Sequence, residues 1–283
     1  MPTGIVDNVG MMVTAMTLTP HVLRWLQARK AAALLHRFDA VINLVNADGD
    51  IISVVQRQIE PGPFSLLVEG ERPFPHTLSR HTPVSQSSNR LIIGPLQIDC
   101  RPAQLWHPVP NWQRLQERQA TWQEALPGIE TAVTHHLNHL GNPGPANFGA
   151  QFQTAISNMQ AIRFAADRAS WQTAVAQLAG LGPGFTPAGD DFLVGFLFGL
   201  WATRPEDEVV KLAEIVVETA VPRTTQLSAT WLRAAGQGEA WLPWHELVDS
   251  LLKGYGWQPP VKRILNQGAT SGVAALLGFI AAA

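Results

Sequence analysis

The chain has 283 residues, of which 46% are hydrophobic and 15% charged, with a formal net charge of −2. The charged share lies well below the roughly 25% of ordinary soluble domains while the apolar share is ordinary, which excludes a disordered chain, a collagen-like repeat and a coiled coil. The near-balance of charge gives no basic field, so neither duplex nucleic acid nor an anionic membrane is an expected partner.

Residues 1–39 have no structure that the sequence fixes. Residues 1–19 have no Lys or Arg ahead of their mildly apolar stretch and are interrupted by Asp7, a poor secretory signal. Pro20 to Arg37, with Val22, Leu23, Leu26, Leu34 and Leu35, suits a helix, the alternative being a strand that starts near Leu34. Ala40 to Ala47 and Ile51 to Arg57 are rich in Val and Ile around Asp48-Gly49-Asp50, which predicts a hairpin. Phe64 to Val68 and Leu91 to Ile98 are two further strands. Cys100 closes this region. As the lone cysteine it cannot form an internal disulfide, it reads as a core residue, and it suits a reducing, cytoplasmic location.

After Pro110 the period changes. Trp112 to Leu126 and Ile129 to Leu140 have the three- and four-residue spacing of helices, Gly141 to Pro145 forms a loop, and Ser170, Pro205, Pro222, Pro243 and Pro259 mark helix starts. The longest apolar runs, Phe192 to Ala202 and Val273 to Ala283, are well short of the roughly 20 residues that a membrane span needs and read as buried helices. The expected fold is α+β, a β-rich N-terminal region over residues 1–108 followed by a mainly α-helical region over residues 109–283.

The densest chemical signal is Gly180-Leu181-Gly182-Pro183-Gly184-Phe185-Thr186-Pro187-Ala188-Gly189-Asp190-Asp191. Glycines permit positive φ and prolines fix φ, so the loop is bent and stiff. Thr186-Pro187 reads as an N-cap followed by proline at the first helical position, which would leave the amides near Ala188 and Gly189 bare for a phosphate or carboxylate. Gly189 has no side chain to keep a ligand away. Asp190 and Asp191 point about 100° apart on a helix, so one is expected to face the ligand, as a general base or by holding Mg²⁺ or an amide, while the other caps backbone or pairs with a base. The bland alternative is a capped helix behind an ordinary joining loop. Gly195 and Gly199 read as close helix packing.

Two companions resemble this helix start. Gly268-Ala269-Thr270-Ser271-Gly272 precedes the last apolar run, with Thr270 or Ser271 available as a cap and the other hydroxyl free for a ligand. Pro222 to Ala235 reads as a helix on which Thr224 and Ser228 share a face, with Arg223 placed to bind an oxyanion or neutralise an aspartate. His135 and His139, at i and i+4, lack the further ligands of a zinc site, so no metal is assigned. The tryptophans, ten against one tyrosine, read as core or interface.

The run Gly182 to Phe192 resembles the hallmark of the AllH-like bacterial family, a domain of unknown function associated with an oxamate carbamoyltransferase subunit. Val41-Ile42-Asn43-Leu44, Arg223-Thr224-Thr225 with Ser228, and Gly268-Ala269-Thr270-Ser271-Gly272 echo it, so that the resemblance spans residue 40 to the end. Ala269 stands where the family commonly has His. The resemblance implies a role in purine or allantoin catabolism, in carbamoyl transfer between carbamoyl phosphate and a small oxo-amide such as oxamate, beside an FdrA-like subunit and a third protein. It also implies a substrate-binding set of Asn43, Gly182, Gly184, Thr186, Gly189, Arg223, Thr224, Ser228, Thr270, Ser271 and Gly272, with Asp190 and Asp191 as the catalytic pair. Two readings stay open: a catalytic subunit acting on a small anion, and a non-catalytic ligand-binding or assembly subunit of a larger complex.

Overall fold

The computed structural model describes residues 10–139, 149–164 and 167–283. Helix makes up 52% and strand 17% of the described residues, with the strands within residues 11–105 and a mostly helical region after them, the expected α+β class. Two compact units divide the chain, Met1–Pro108 and Val109–Ala283.

The first unit is a nearly closed β barrel. Its strands are β1 (Met11–Leu18), β2 (Ala32–Arg37), β3 (Val41–Asn46), β4 (Ile51–Gln56), β5 (Ser65–Val68), β6 (Val84–Ser87), β7 (Arg90–Ile93), β8 (Leu96–Asp99) and β9 (Gln104–Leu105), with helix α1 (Pro20–Ala28) between β1 and β2. The sheet runs β2-β3-β4-β5-β1-β8-β7-β6, with β9 also paired to β1. The predicted hairpin is β3–β4, in antiparallel register Val41 to Val55. The helix expected over Pro20 to Arg37 is cut short. Arg29 takes a left-handed conformation at φ 50° and ends α1, after which Ala32–Arg37 pairs with β3 and buries Leu34. The run Leu91 to Ile98 is two strands, because Gly94 at φ 54° turns the chain and β7 pairs antiparallel with β8. Leu26, Ile42, Leu44, Val54, Leu66 and Ile98 are among the residues of its core.

The second unit packs helices α2 (Trp112–Glu117), α3 (Gln119–Trp122), α4 (Leu126–His139), α5 (Gly149–Ile162), α6 (Arg168–Leu178), α7 (Ala188–Thr203), α8 (Glu206–Ala220), α9 (Gln226–Gly236), α10 (Leu242–Lys253), α11 (Gln258–Leu265) and α12 (Ser271–Ala282). The helix expected from Trp112 to Leu126 is broken into α2, α3 and a 3-10 turn at Gln123–Ala125. Asp167, not Ser170, caps α6, its side chain accepting from Ser170 N. The predicted loop at 141–145 and the end of the Ile129 to Leu140 helix lie outside the described residues.

A helix that is apolar on every side has to be buried on every side. α7 is such a helix, and every residue from Phe192 to Leu200 is buried. Its partner is α12, and the two meet main chain to main chain. A Cβ at Gly195 would come 1.7 Å from Ala275 O, and one at Gly278 would come 2.0 Å from Phe192 O. Glycine on both sides is what permits this approach, in keeping with the packing role read for Gly195 and Gly199.

Candidate functional site

The site is built where α6 ends, α7 begins, and α9 and α12 start beside them. Gly180 at φ +72° and Gly182 at φ +118° turn the chain after α6 in a region that favours glycine. The turn sends Leu181 back along α7. α7 starts at Ala188 with Pro187 in the N-cap position and no side-chain cap, one residue later than the Thr186 cap read from the sequence.

This local fold corrects the expectation of a bare amide at Gly189. Gly189 N donates to Leu181 O at 2.9 Å, and Asp190 N and Asp191 N donate to Pro187 O at 2.9 and 3.1 Å. The loop carbonyls thus occupy these three donors. Gly189 is not an opening for a ligand either, because a Cβ there would come 2.0 Å from Leu178 O, so the end of α6 fills the space. Gly272 repeats the pattern at α12: its N donates to Gln267 O at 3.0 Å, and a Cβ would come 1.7 Å from Ile264 O. Thr270 stands at the N-cap of α12 without a side-chain cap bond and is exposed, while Gly182 and Gly184 lie on the exposed loop.

Asp190 and Asp191 are separated by their surroundings. Asp190 is 1% exposed; Gly180 N donates to its Oδ1 at 2.9 Å, and Thr224 Oγ1 donates to its Oδ2. Burial pushes its carboxyl above the ordinary range, against the pull of Thr224, Gly180 and the nearby Ser228 hydroxyl. Ser228 Oγ is itself buried and has no partner at hydrogen-bond distance. Thr224 reaches the carboxylate and Ser228 only lies near it, and the two do not share one helical face. α9 begins only at Gln226, capped by Thr225, whose side chain accepts from Ser228 N, so Thr224 is extended chain ahead of the cap. Thr225 Oγ1 also donates to Phe185 O at 2.6 Å, tying the glycine-rich loop to α9. Arg223 lies in a 3-10 turn, exposed, and donates to Thr219 O at 2.5 Å; its guanidinium serves a helix end, not an aspartate.

Asp191 faces different company. Burial pushes its carboxyl up to about 8, with the Ser271 hydroxyl opposing and the Asp190 charge adding to the rise. Its Oδ2 is shut off from solvent and has no hydrogen-bond partner. Asp191 lines a cavity of about 170 Å³ together with Thr186, Val194, Trp231, Trp241, Gln267, Gly268, Ser271 and Ala275. Thr186 Oγ1 and Ser271 Oγ lie 3.2 Å apart, joining the two glycine-rich segments at this wall. Trp231 and Trp241 meet edge to face with centroids 5.4 Å apart, and Trp241 Nε1 is buried without a partner. Among the described residues, none of those lining the cavity is Lys, Arg or His.

The structure therefore brings Thr186, Asp191 and Ser271 to one cavity and sets Asp190, Thr224 and Ser228 behind it. Asn43 lies in the other unit, buried in β3, where its Oδ1 accepts from Ser53 Oγ at 2.6 Å and its amide meets His36 Nδ1 at 3.4 Å. The sequence reading missed Trp231, Trp241 and Gln267, having read the tryptophans as packing. A signal was present: Trp231 is three residues beyond Ser228 on the same helix, and Gln267 directly precedes the Gly268 turn. Among the described residues no group of three His, Cys, Asp or Glu side chains could hold a metal ion, and the side chain of His139 lies outside them. No helix among them is long and apolar enough to cross a membrane.

Comparison with known proteins gives two family matches. The model described as oxamate carbamoyltransferase subunit AllH matches residues 178–283, and the AllH family N-terminal domain matches residues 14–105. Neither the curated proteins nor the solved structures give a match. The first match contains the α6–α7 turn, the start of α9 and the start of α12, the second contains the barrel, and the chain belongs to the AllH-like family.

Proposed function

We propose that this chain is the acceptor-holding subunit of a cytoplasmic carbamoyltransferase that acts on carbamoyl phosphate and a small oxo-amide such as oxamate, with an FdrA-like subunit and a third protein as partners. The matched family supplies the reaction class, since its description names a subunit of oxamate carbamoyltransferase. The observation that carries the site is Asp191 Oδ2, buried, unpartnered, and part of a carboxyl that lines a cavity.

In carbamoyl transfer the acceptor amide nitrogen attacks the carbonyl carbon of carbamoyl phosphate. The N–C bond forms, the bond from that carbon to the oxygen bridging to phosphorus breaks, phosphate leaves with the electron pair, and one amide proton must go to a base. Asp191 is that base. A carboxyl pushed up to about 8 keeps a proton far better than an ordinary carboxylate and still ionises near neutral pH. Asp190 is a positioning residue, with both oxygens engaged by Gly180 and Thr224. The acceptor's amide enters toward Asp191, and its carboxylate stays near Gln267 and the Thr186 and Ser271 hydroxyls.

The cavity wall holds an acid and no base, so a phosphate dianion would lie there without a counter-charge. This favours a division of labour in which the donor phosphate is held by a partner subunit, and it gives weight to the reading of a ligand-binding subunit that is inactive alone. The test is calorimetry of the full chain with oxamate and with carbamoyl phosphate. Oxamate should bind, and Asp191→Leu should abolish that binding with an unchanged far-UV spectrum. Turnover of carbamoyl phosphate by the chain alone, or oxamate binding indifferent to Asp191, would overturn the proposal.

A further inference from the structure

Oxamate has no hydrocarbon surface, yet Val194, Ala275 and the indoles of Trp231 and Trp241 form much of the cavity wall. An apolar wall is stabilised by apolar contact, and a small polar ligand would leave it idle. The volume carries the point further. A cavity of about 150 Å³ lined by apolar side chains accommodates benzene, and this one measures about 170 Å³. The edge-to-face arrangement of Trp231 and Trp241 offers a flat ring the aromatic contacts that such rings prefer.

The polar complement is equally restrictive. Two buried atoms on residues of this wall have no partner, Asp191 Oδ2 and Trp241 Nε1. The indole N–H can only donate, so it requires an acceptor such as a carbonyl oxygen. The carboxyl can donate as an acid and accept as an anion, and a primary amide, with C=O and N–H₂ side by side, answers it in either state. A ring acid would set its carboxylate in the amide's place against Asp191, with no Lys, Arg or His in the wall to offset the charge, and is disfavoured.

We infer that the cavity accepts a planar, uncharged carboxamide on an unsaturated ring, its amide held between Asp191 and Trp241 and its ring laid against Trp231, Val194 and Ala275. This inference rests on the proposed reading that the cavity is the acceptor's amide site, and widens the acceptor class beyond the small oxo-amide.

The test is calorimetry of the full chain with benzamide, benzoate and oxamate as probes. Benzamide should bind at least tenfold more tightly than benzoate. Trp231→Leu should weaken benzamide several-fold, and Trp241→Phe, which keeps the ring and removes the N–H, should weaken benzamide roughly two- to tenfold. In the unmodified chain, titration with benzamide should shift the Trp241 indole N–H resonance, a readout that does not depend on a variant folding. Oxamate binding without benzamide binding would overturn the inference and leave the proposed function standing. Failure of both to bind would sink the two together. Benzamide binding that leaves the Trp241 resonance in place would assign the ligand to another surface and likewise overturn the inference.

Discussion

Asp190 and Asp191 are adjacent in sequence yet have opposite hydrogen-bond environments: Asp190 has Gly180 N on one oxygen and Thr224 Oγ1 on the other, while Asp191 keeps Oδ2 buried and bare. The same helical turn thus carries one carboxyl committed to the loop and one committed to the cavity. Their substitutions should therefore fail in different ways.

Asp190→Ala leaves Gly180 N and the Thr224 hydroxyl without their acceptor in a buried place. Each such orphan costs about 1–3 kcal/mol. Urea denaturation should show the loss, and ligand affinity should fall as the loop loosens. An unchanged midpoint would mean that the loop is held by other contacts.

Asp191 has a pH signature of its own. Its folded carboxyl is pushed up to about 8 from an ordinary 3.8, so between those values the folded state binds more protons than the unfolded one. Its contribution to stability is full below about pH 4 and declines as pH rises toward 8. Asp191→Asn has no proton to lose, so its melting temperature should fall less than that of the parent between pH 5 and 8. Parallel melting curves for the two proteins would remove the assignment.

The contact between α7 and α12 predicts a purely structural defect. A Cβ at Gly195 would come 1.7 Å from Ala275 O, and a backbone carbonyl cannot swing aside as a side chain can. Overpacking of this sort costs about 1–3 kcal/mol and more where nothing gives way. Gly195→Ala should lower the melting temperature by several degrees, as should Gly278→Ala. Gly184→Ala has nothing within 4 Å to meet; its φ of +98° still strains it, by a smaller amount.

Thr225 joins two functions, capping α9 through Ser228 N and holding Phe185 O. Thr225→Ala should cost about 0.5–2 kcal/mol, the range for a lost cap. Thr225→Ser should restore most of it. Increased proteolytic cleavage near Phe185 in the alanine variant, and not in the serine one, would report the released loop.

Cys100 provides a simple check of the barrel. Burial pushes its thiol up to about 11, so little thiolate exists at neutral pH. Labelling by an aromatic disulfide reagent should be slow in the folded chain and rapid in urea. Fast labelling of the folded chain would contradict the burial.

Patterns that depend on neighbours in sequence were legible. The β3–β4 hairpin follows from Val and Ile runs around Asp48-Gly49, and the burial of α7 from its unbroken apolar composition. Patterns that depend on distant neighbours were not. β1 is a mildly apolar stretch that becomes a strand through β5 and β8, and β2 has helix-compatible residues that pair instead with β3. At the site, the sequence marked the two glycine-rich segments that contribute Thr186, Asp191 and Ser271, but it misjudged the donor at Gly189. Whether the amide of Gly189 is bare depends on where Leu181 places its carbonyl, and that is decided by the left-handed turns at Gly180 and Gly182. Trp231 and Trp241 were hidden because an indole against a cavity and an indole in a core look alike in a sequence.

The glycine-to-carbonyl seam between α7 and α12 also sets how this pocket can change over time. Val194 and Ala275 stand on that seam, beside points where main chains already touch, so the floor cannot be lowered by drawing the two helices apart. A change in what the pocket accepts therefore has to come from exchanged side chains, at positions 194, 231, 241 and 267, and not from helix movement.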